Sequence, residues 1–240
     1  MTALLHGELI KLRTTRTALA FALTMLGLML LSTLLQTLVG DPTTLQDKRN
    51  AVSVGGIMPT VLIIFGAVAA TGEHRHGTIT STFLIAPERV RATVAKLLAY
   101  AAAGALVGLG VQLVAFAIGV PLLADQSGPD LSASTLAGML AETVVACALA
   151  TSIGVGVGAL IRNQVAAVVG TLAYVFIIES IVGGLLPRVY PYLIGGAINS
   201  LTEFDIDHRT SAVVGGLLLV AWTVAFGAAA VLADRARDVN

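Results

Sequence analysis

Six apolar stretches, each long enough to cross a lipid bilayer, dominate this chain: residues 18–39, 52–71, 97–122, 134–161, 164–186 and 211–233. A helix crossing about 30 Å of hydrocarbon needs roughly 20 apolar residues. With no water inside the bilayer, every backbone N–H and C=O must be satisfied within its own segment, so runs of this length are read as helices. Charged residues make up only 12% of the sequence and hydrophobic ones 56%, against about 25% charged in a soluble domain. Such a chain has too little polar surface to cover itself in water. The expected fold class is therefore an all-α integral membrane protein, one transmembrane domain over residues 1–240, with no soluble domain.

Lysine and arginine set the orientation. Ten of the fourteen basic residues fall on one side: Lys11, Arg13, Arg16, Arg75, Arg89, Arg91, Lys96, Arg162, Arg235 and Arg237. The other side carries Lys48, Arg49, Arg188 and Arg209, together with the acidic residues Asp41, Asp47, Asp125, Asp130, Glu203, Asp205 and Asp207. The first side is read as the cytoplasm, which puts both termini inside. The run at 18–39 is too long for a signal-peptide core, and Gly40-Asp41-Pro42 is a poor cleavage site, so it is the first span. Eleven arginines to three lysines and abundant alanine point to a bacterial genome rich in GC, and hence to a multi-pass protein of the bacterial cytoplasmic membrane.

Two segments are expected to lie against the membrane without crossing it. Within residues 1–17, Leu5, Leu9 and Leu12 share a helical face while Lys11 and Arg13 lie off it, the pattern of an interfacial helix. Leu193 to Phe204 is apolar but short and broken by Gly195-Gly196, so it reads as an interfacial or partly re-entrant piece. Gly104 with Gly108, and Gly154 with Gly158, offer the small-residue spacing that lets membrane helices approach closely.

Several chemistries are excluded or weakened. A zero net charge without a long basic run gives nucleic acid no foothold. Cys147 is the sole cysteine, so no intrachain disulfide can form. None of the three lysines follows a glycine, so there is no phosphate-cradling Gly-Lys-Ser/Thr. His74 and His76 beside Glu73 lack metal-ligand spacing on a helix, and no Gly-x-Ser-x-Gly elbow or intramembrane histidine supports a hydrolase. No catalytic, metal or cofactor residue is expected. Gln112, Glu142 and Glu179 are polar residues inside spans and could share one layer. A carboxylate near the bilayer centre costs about 2.5–3.5 kcal/mol, so it faces a bundle interior, a partner or water. A translocation path and a purely structural role both fit.

The stretch after the second span, Thr71-Gly72-Glu73-His74-Arg75-His76-Gly77-Thr78, continues through Phe83, Pro87 and Arg89 to Lys96. Thr78 can cap a short helix carrying Ile79 and Phe83 on one face. Isolated helices shorter than about 12–15 residues are marginal in water, so this one needs support. The Gly-Glu-x-x-x-Gly-Thr pattern, the segment Glu-Leu-x-Lys-x-x-x-x-Arg from Glu8 to Arg16, and the six spans together resemble type-2 permeases of ATP-binding-cassette (ABC) exporters. The resemblance implies a short cytoplasmic coupling helix between spans 2 and 3 that docks on an ATPase, with Glu73, Arg75, Gly77, Thr78, Ile79, Phe83 and Arg89 as coupling residues. It also implies two separate ABC ATPase subunits that hold ATP and Mg, a second permease as homodimer partner, and export of an amphipathic or hydrophobic antibiotic, peptide or lipid. The rival readings are a secondary transporter or channel, which would need ionisable pairs or broken helices near the midplane, and a non-transporting scaffold.

Overall fold

A computed structural model describes Gly7 and residues 16–75, 89–204 and 208–236, and every element among them is helical. Six helices are long and apolar enough to cross a membrane. The first is α1 (Arg16–Leu38). A short α2 (Leu45–Val52) is separated by a break at Ser53–Gly56 from α3 (Ile57–Arg75). Next come α4 (Arg89–Leu123) and α5 (Ala133–Ile161). The fifth span is α6 (Gln164–Ala173), a π-helical turn (Tyr174–Ile178) and α7 (Glu179–Leu185). A 3₁₀ turn (Tyr190–Tyr192) and α8 (Ile194–Leu201) precede the last span, α9 (Ala212–Ala236). The end of the bundle bearing α2 and α8 is the external end by the charge bias.

The expected interfacial helix with Glu8, Lys11 and Arg13 lies outside the described residues, as does the expected coupling helix with Gly77, Thr78, Ile79 and Phe83. Arg16, Glu73, Arg75 and Arg89 sit at helix ends. The candidate coupling segment therefore joins the end of α3 to the start of α4. With 35 residues, α4 is about 52 Å long at 1.5 Å per residue. It begins at Arg89, eight residues before the apolar run, and so projects beyond the hydrocarbon.

The buried centre is α5, which packs against α3, α4 and α9. Glycine makes this possible. A Cβ on Gly154 would strike the Ile63 carbonyl, one on Gly66 the Thr151 carbonyl, and one on Gly158 would come within 2.5 Å of the Ala67 carbonyl. On the other flank, Gly104 and Gly108 abut Thr151 and Cys147. Both small-residue pairs thus lie at backbone-to-backbone contacts, where dispersion between close helices replaces the hydrophobic effect that lipid removes. Phe65 of α3 bridges Phe21 of α1 and Tyr100 of α4, with ring centroids 5.2 and 5.9 Å away. Several buried hydroxyls are satisfied within their own helices: Thr37, Thr71, Thr151 and Thr171 each donate to the carbonyl four residues back.

The fourth and fifth spans meet in a tight turn. Arg162 closes α5 in the left-handed conformation (φ 57°), and the Asn163 side chain caps α6 by accepting from the Ala166 amide.

Candidate functional site

A cavity of about 270 Å³ lies between α3, α5, the fifth span, α8 and α9. Its walls include Ile153 and Val157 from α5, Tyr174 from the π turn, Ile194 from α8, and Trp222 and Phe226 from α9. Apart from Thr171 and Tyr174, the side chains lining it are apolar or absent, as at Gly170. Such walls cannot hold a metal or a polar cofactor, and no group of three or more metal-ligating side chains occurs among the described residues. They suit an apolar or amphipathic guest.

Glu179 touches two residues of this wall, Tyr174 and Ile194, without lining the chamber itself. It accepts hydrogen bonds from the Gly195 amide at 2.9 and 3.0 Å, and the Tyr174 hydroxyl neighbours it. The π turn explains how it gets there. At 3.6 residues per turn, positions 174 and 179 would lie roughly 140° apart around an α-helix. The wider π turn brings them toward one face and turns the carboxyl inward. Leu193 provides no side-chain cap for α8, and Glu179, reaching from the neighbouring span, supplies the acceptor instead. A Cβ at Gly195 would land on the Glu179 carboxylate, so any larger residue there must displace this contact.

Gln112 is fully buried in α4. It donates to the Val52 carbonyl (2.8 Å) and accepts from the Val54 amide (3.3 Å) and the Thr143 hydroxyl (3.0 Å). It thereby satisfies the backbone exposed where α2 breaks from α3. Glu142 points elsewhere: its carboxylate is 3.5 Å from Arg49 of α2, which is also 2.8 Å from Glu203 just past α8. The three intraspan polar residues thus have separate partners.

The sequence reading took Lys48 and Arg49 as loop charges and missed both roles. Lys48 is 1% exposed and donates to the carbonyls of Leu123 and Gln126 at the C-terminal end of α4, where a cation also complements the helix dipole. The legible signal was Thr44-x-x-Asp47, a capping box that starts α2 and makes residues 48 and 49 helical rather than loose. The chamber had no comparable signal, because its walls come from residues scattered over a hundred and sixty positions of uniformly apolar sequence.

Comparison with curated proteins returns no match. A family model described as ABC-2 family transporter protein matches residues 4–178. The match runs from the N-terminal segment through the first four spans, the stretch after the second span and the π turn, and it covers more than half of the chain. With six membrane-crossing helices and no phosphate-cradling motif, the chain belongs to the ABC-2 family of transporter proteins, as a membrane-embedded permease.

Proposed function

We propose that this permease exports an amphipathic or hydrophobic compound, such as an antibiotic, peptide or lipid, across a bacterial cytoplasmic membrane. The observation that carries the proposal is the apolar chamber between α3, α5, the fifth span, α8 and α9. A guest gains by burial there at about 25 cal/mol per Å² of apolar surface, and the aromatic faces of Trp222, Phe226 and Tyr174 can sense its shape. Glu179, in contact with the chamber-lining Tyr174, is the intraspan carboxylate we place on the path. Gln112 serves the framework, and Glu142 belongs to the external charge cluster.

Energy would come from two ABC ATPase subunits holding ATP and Mg beneath a pair of permeases. The stretch from Glu73 through Arg75, Gly77, Thr78, Ile79 and Phe83 to Arg89 is the proposed docking element. Its placement supports this, since it connects directly into α3 and α4, which flank the central helix. The N-terminal segment with Glu8, Lys11, Arg13 and Arg16 would lie in the cytoplasmic interface. Affinity purification of the tagged permease tests the partnership. An ATPase recovered in one-to-one ratio supports the reading. A chain that purifies alone and takes up substrate on a proton gradient refutes it.

A further inference from the structure

We infer that Arg49 is a positioning residue that holds the re-entrant helix α8 closed over the external end of the chamber through its ion pair with Glu203. The inference rests on reading the chamber as part of the export path.

α8 has the form of a plug. It is eight residues long, too short to be stable alone, yet Ile194, Ala197, Ile198 and Leu201 are all buried. Ile194 lines the chamber, and Glu179, against the next residue, lies six residues or about 9 Å inside the end of α7. The N-terminus of α8 therefore reaches below the external end of the fifth span and contributes Ile194 to the chamber wall. Along its length, α8 is seated on glycines of its neighbours. A Cβ on Gly55 would meet Thr202 at 2.5 Å, and one on Gly215 would meet the Leu201 amide at 2.6 Å.

The fastening at its far end is electrostatic. Glu203 has φ 49°, the left-handed conformation common just past a helix end, and the cap is closed by the Phe204 amide donating to the Asn199 carbonyl and the Glu203 amide to the Ser200 carbonyl. Three side chains converge on Glu203. Arg49 meets its carboxylate, while Gln46 and Arg209 each donate to its carbonyl at 2.9 Å. Among the described residues, only the Arg49 contact involves the side chain of Glu203. Glu142, 3.5 Å from the same guanidinium, offers Arg49 a second carboxylate. One cation thus stands between two anions on different elements, an arrangement that lets it release Glu203 without losing all compensation. Arg49 also sits on α2, whose break from α3 is pinned by Gln112, and α3 runs to Arg75 at the start of the proposed docking stretch. A pull on α3 would reach the fastening directly.

The test reads accessibility, not transport, so a failure of the export reading and a failure of this inference give different results. In a Cys147→Ala background, Ile194→Cys places a thiol at the chamber side of α8. A membrane-impermeant thiol reagent added from outside labels it only through opening, and such labelling tracks the opening equilibrium. Arg49→Ala and Glu203→Gln should each raise the labelling rate by about tenfold, while Arg49→Lys should stay near the parent rate because the charge remains. Full labelling after denaturation checks that each protein is present and reactive. Unchanged labelling in both Arg49→Ala and Glu203→Gln would overturn the inference. So would equal acceleration by Arg49→Ala and Arg49→Lys, which would show that the site matters for packing and not for charge.

Discussion

Gly154 and Gly110 lie in adjacent spans, yet a methyl group would meet very different surroundings at each. At Gly154 it would strike the Ile63 carbonyl, whereas at Gly110 nothing lies within 4 Å. Gly154→Ala should therefore force α3 from α5 and cost about 1–3 kcal/mol, while Gly110→Ala should be neutral or slightly stabilising through helix propensity. Thermal unfolding of the two variants in detergent checks the contrast. Among the polar residues, Glu179→Gln and Glu142→Gln keep shape and remove charge. Both should insert and fold. Glu179→Gln should impair transport, because the carboxylate accepts from the Gly195 amide at the start of α8, next to the chamber-lining Ile194. Substrate efflux from cells expressing each variant at matched levels measures this, and parental efflux by Glu179→Gln would remove that residue from the path.

Elements were legible to the degree that one property repeated along many residues. The six spans follow from run length alone, and their ends fall within a few residues of the apolar limits, except at α4, whose charged first turns continue the helix below the membrane. The segment 193–204, read as interfacial or re-entrant, contains α8. The break between α2 and α3 and the π turn before Glu179 were not legible, because each is fixed by a partner distant in sequence, Gln112 in one case and Gly195 in the other. The same holds for the Arg49 cluster, assembled from three elements. Burial also changes how topology must be tested. Lys48 belongs to the external side by charge count but is buried, so Asp130 is the better reporter, its side chain being 87% exposed. In a background without Cys147, cysteine at Asp130 should label from outside intact cells. Cysteine at Arg89 should label only after permeabilisation. External labelling at Arg89 would invert the molecule.

At the scale of the whole molecule, the account joins a chamber, an external plug and a cytoplasmic docking stretch through α3 and α4. Phe83→Ala should weaken ATPase binding by about 1–3 kcal/mol, as loss of an interface anchor does, without affecting insertion. Glu73→Ala should leave the complex assembled and uncouple substrate from ATP turnover, a distinction readable by pull-down followed by hydrolysis in reconstituted membranes. If the double variant assembles and hydrolyses as the parent does, the stretch is only a connector. The central claim is that the chamber carries substrate under ATP power, and Gly170 allows a direct test. It lines the chamber, and a Cβ there meets nothing within 4 Å, so the side chain of Gly170→Phe starts in open space and adds its ring at the chamber wall. The measurement is movement of an amphipathic fluorescent dye across proteoliposomes containing permease and ATPase. The account predicts ATP-dependent movement by the parent and a fall of about tenfold or more in Gly170→Phe, with assembly and basal hydrolysis retained. Equal movement by parent and variant, or movement that persists without the ATPase and follows a proton gradient, would contradict it.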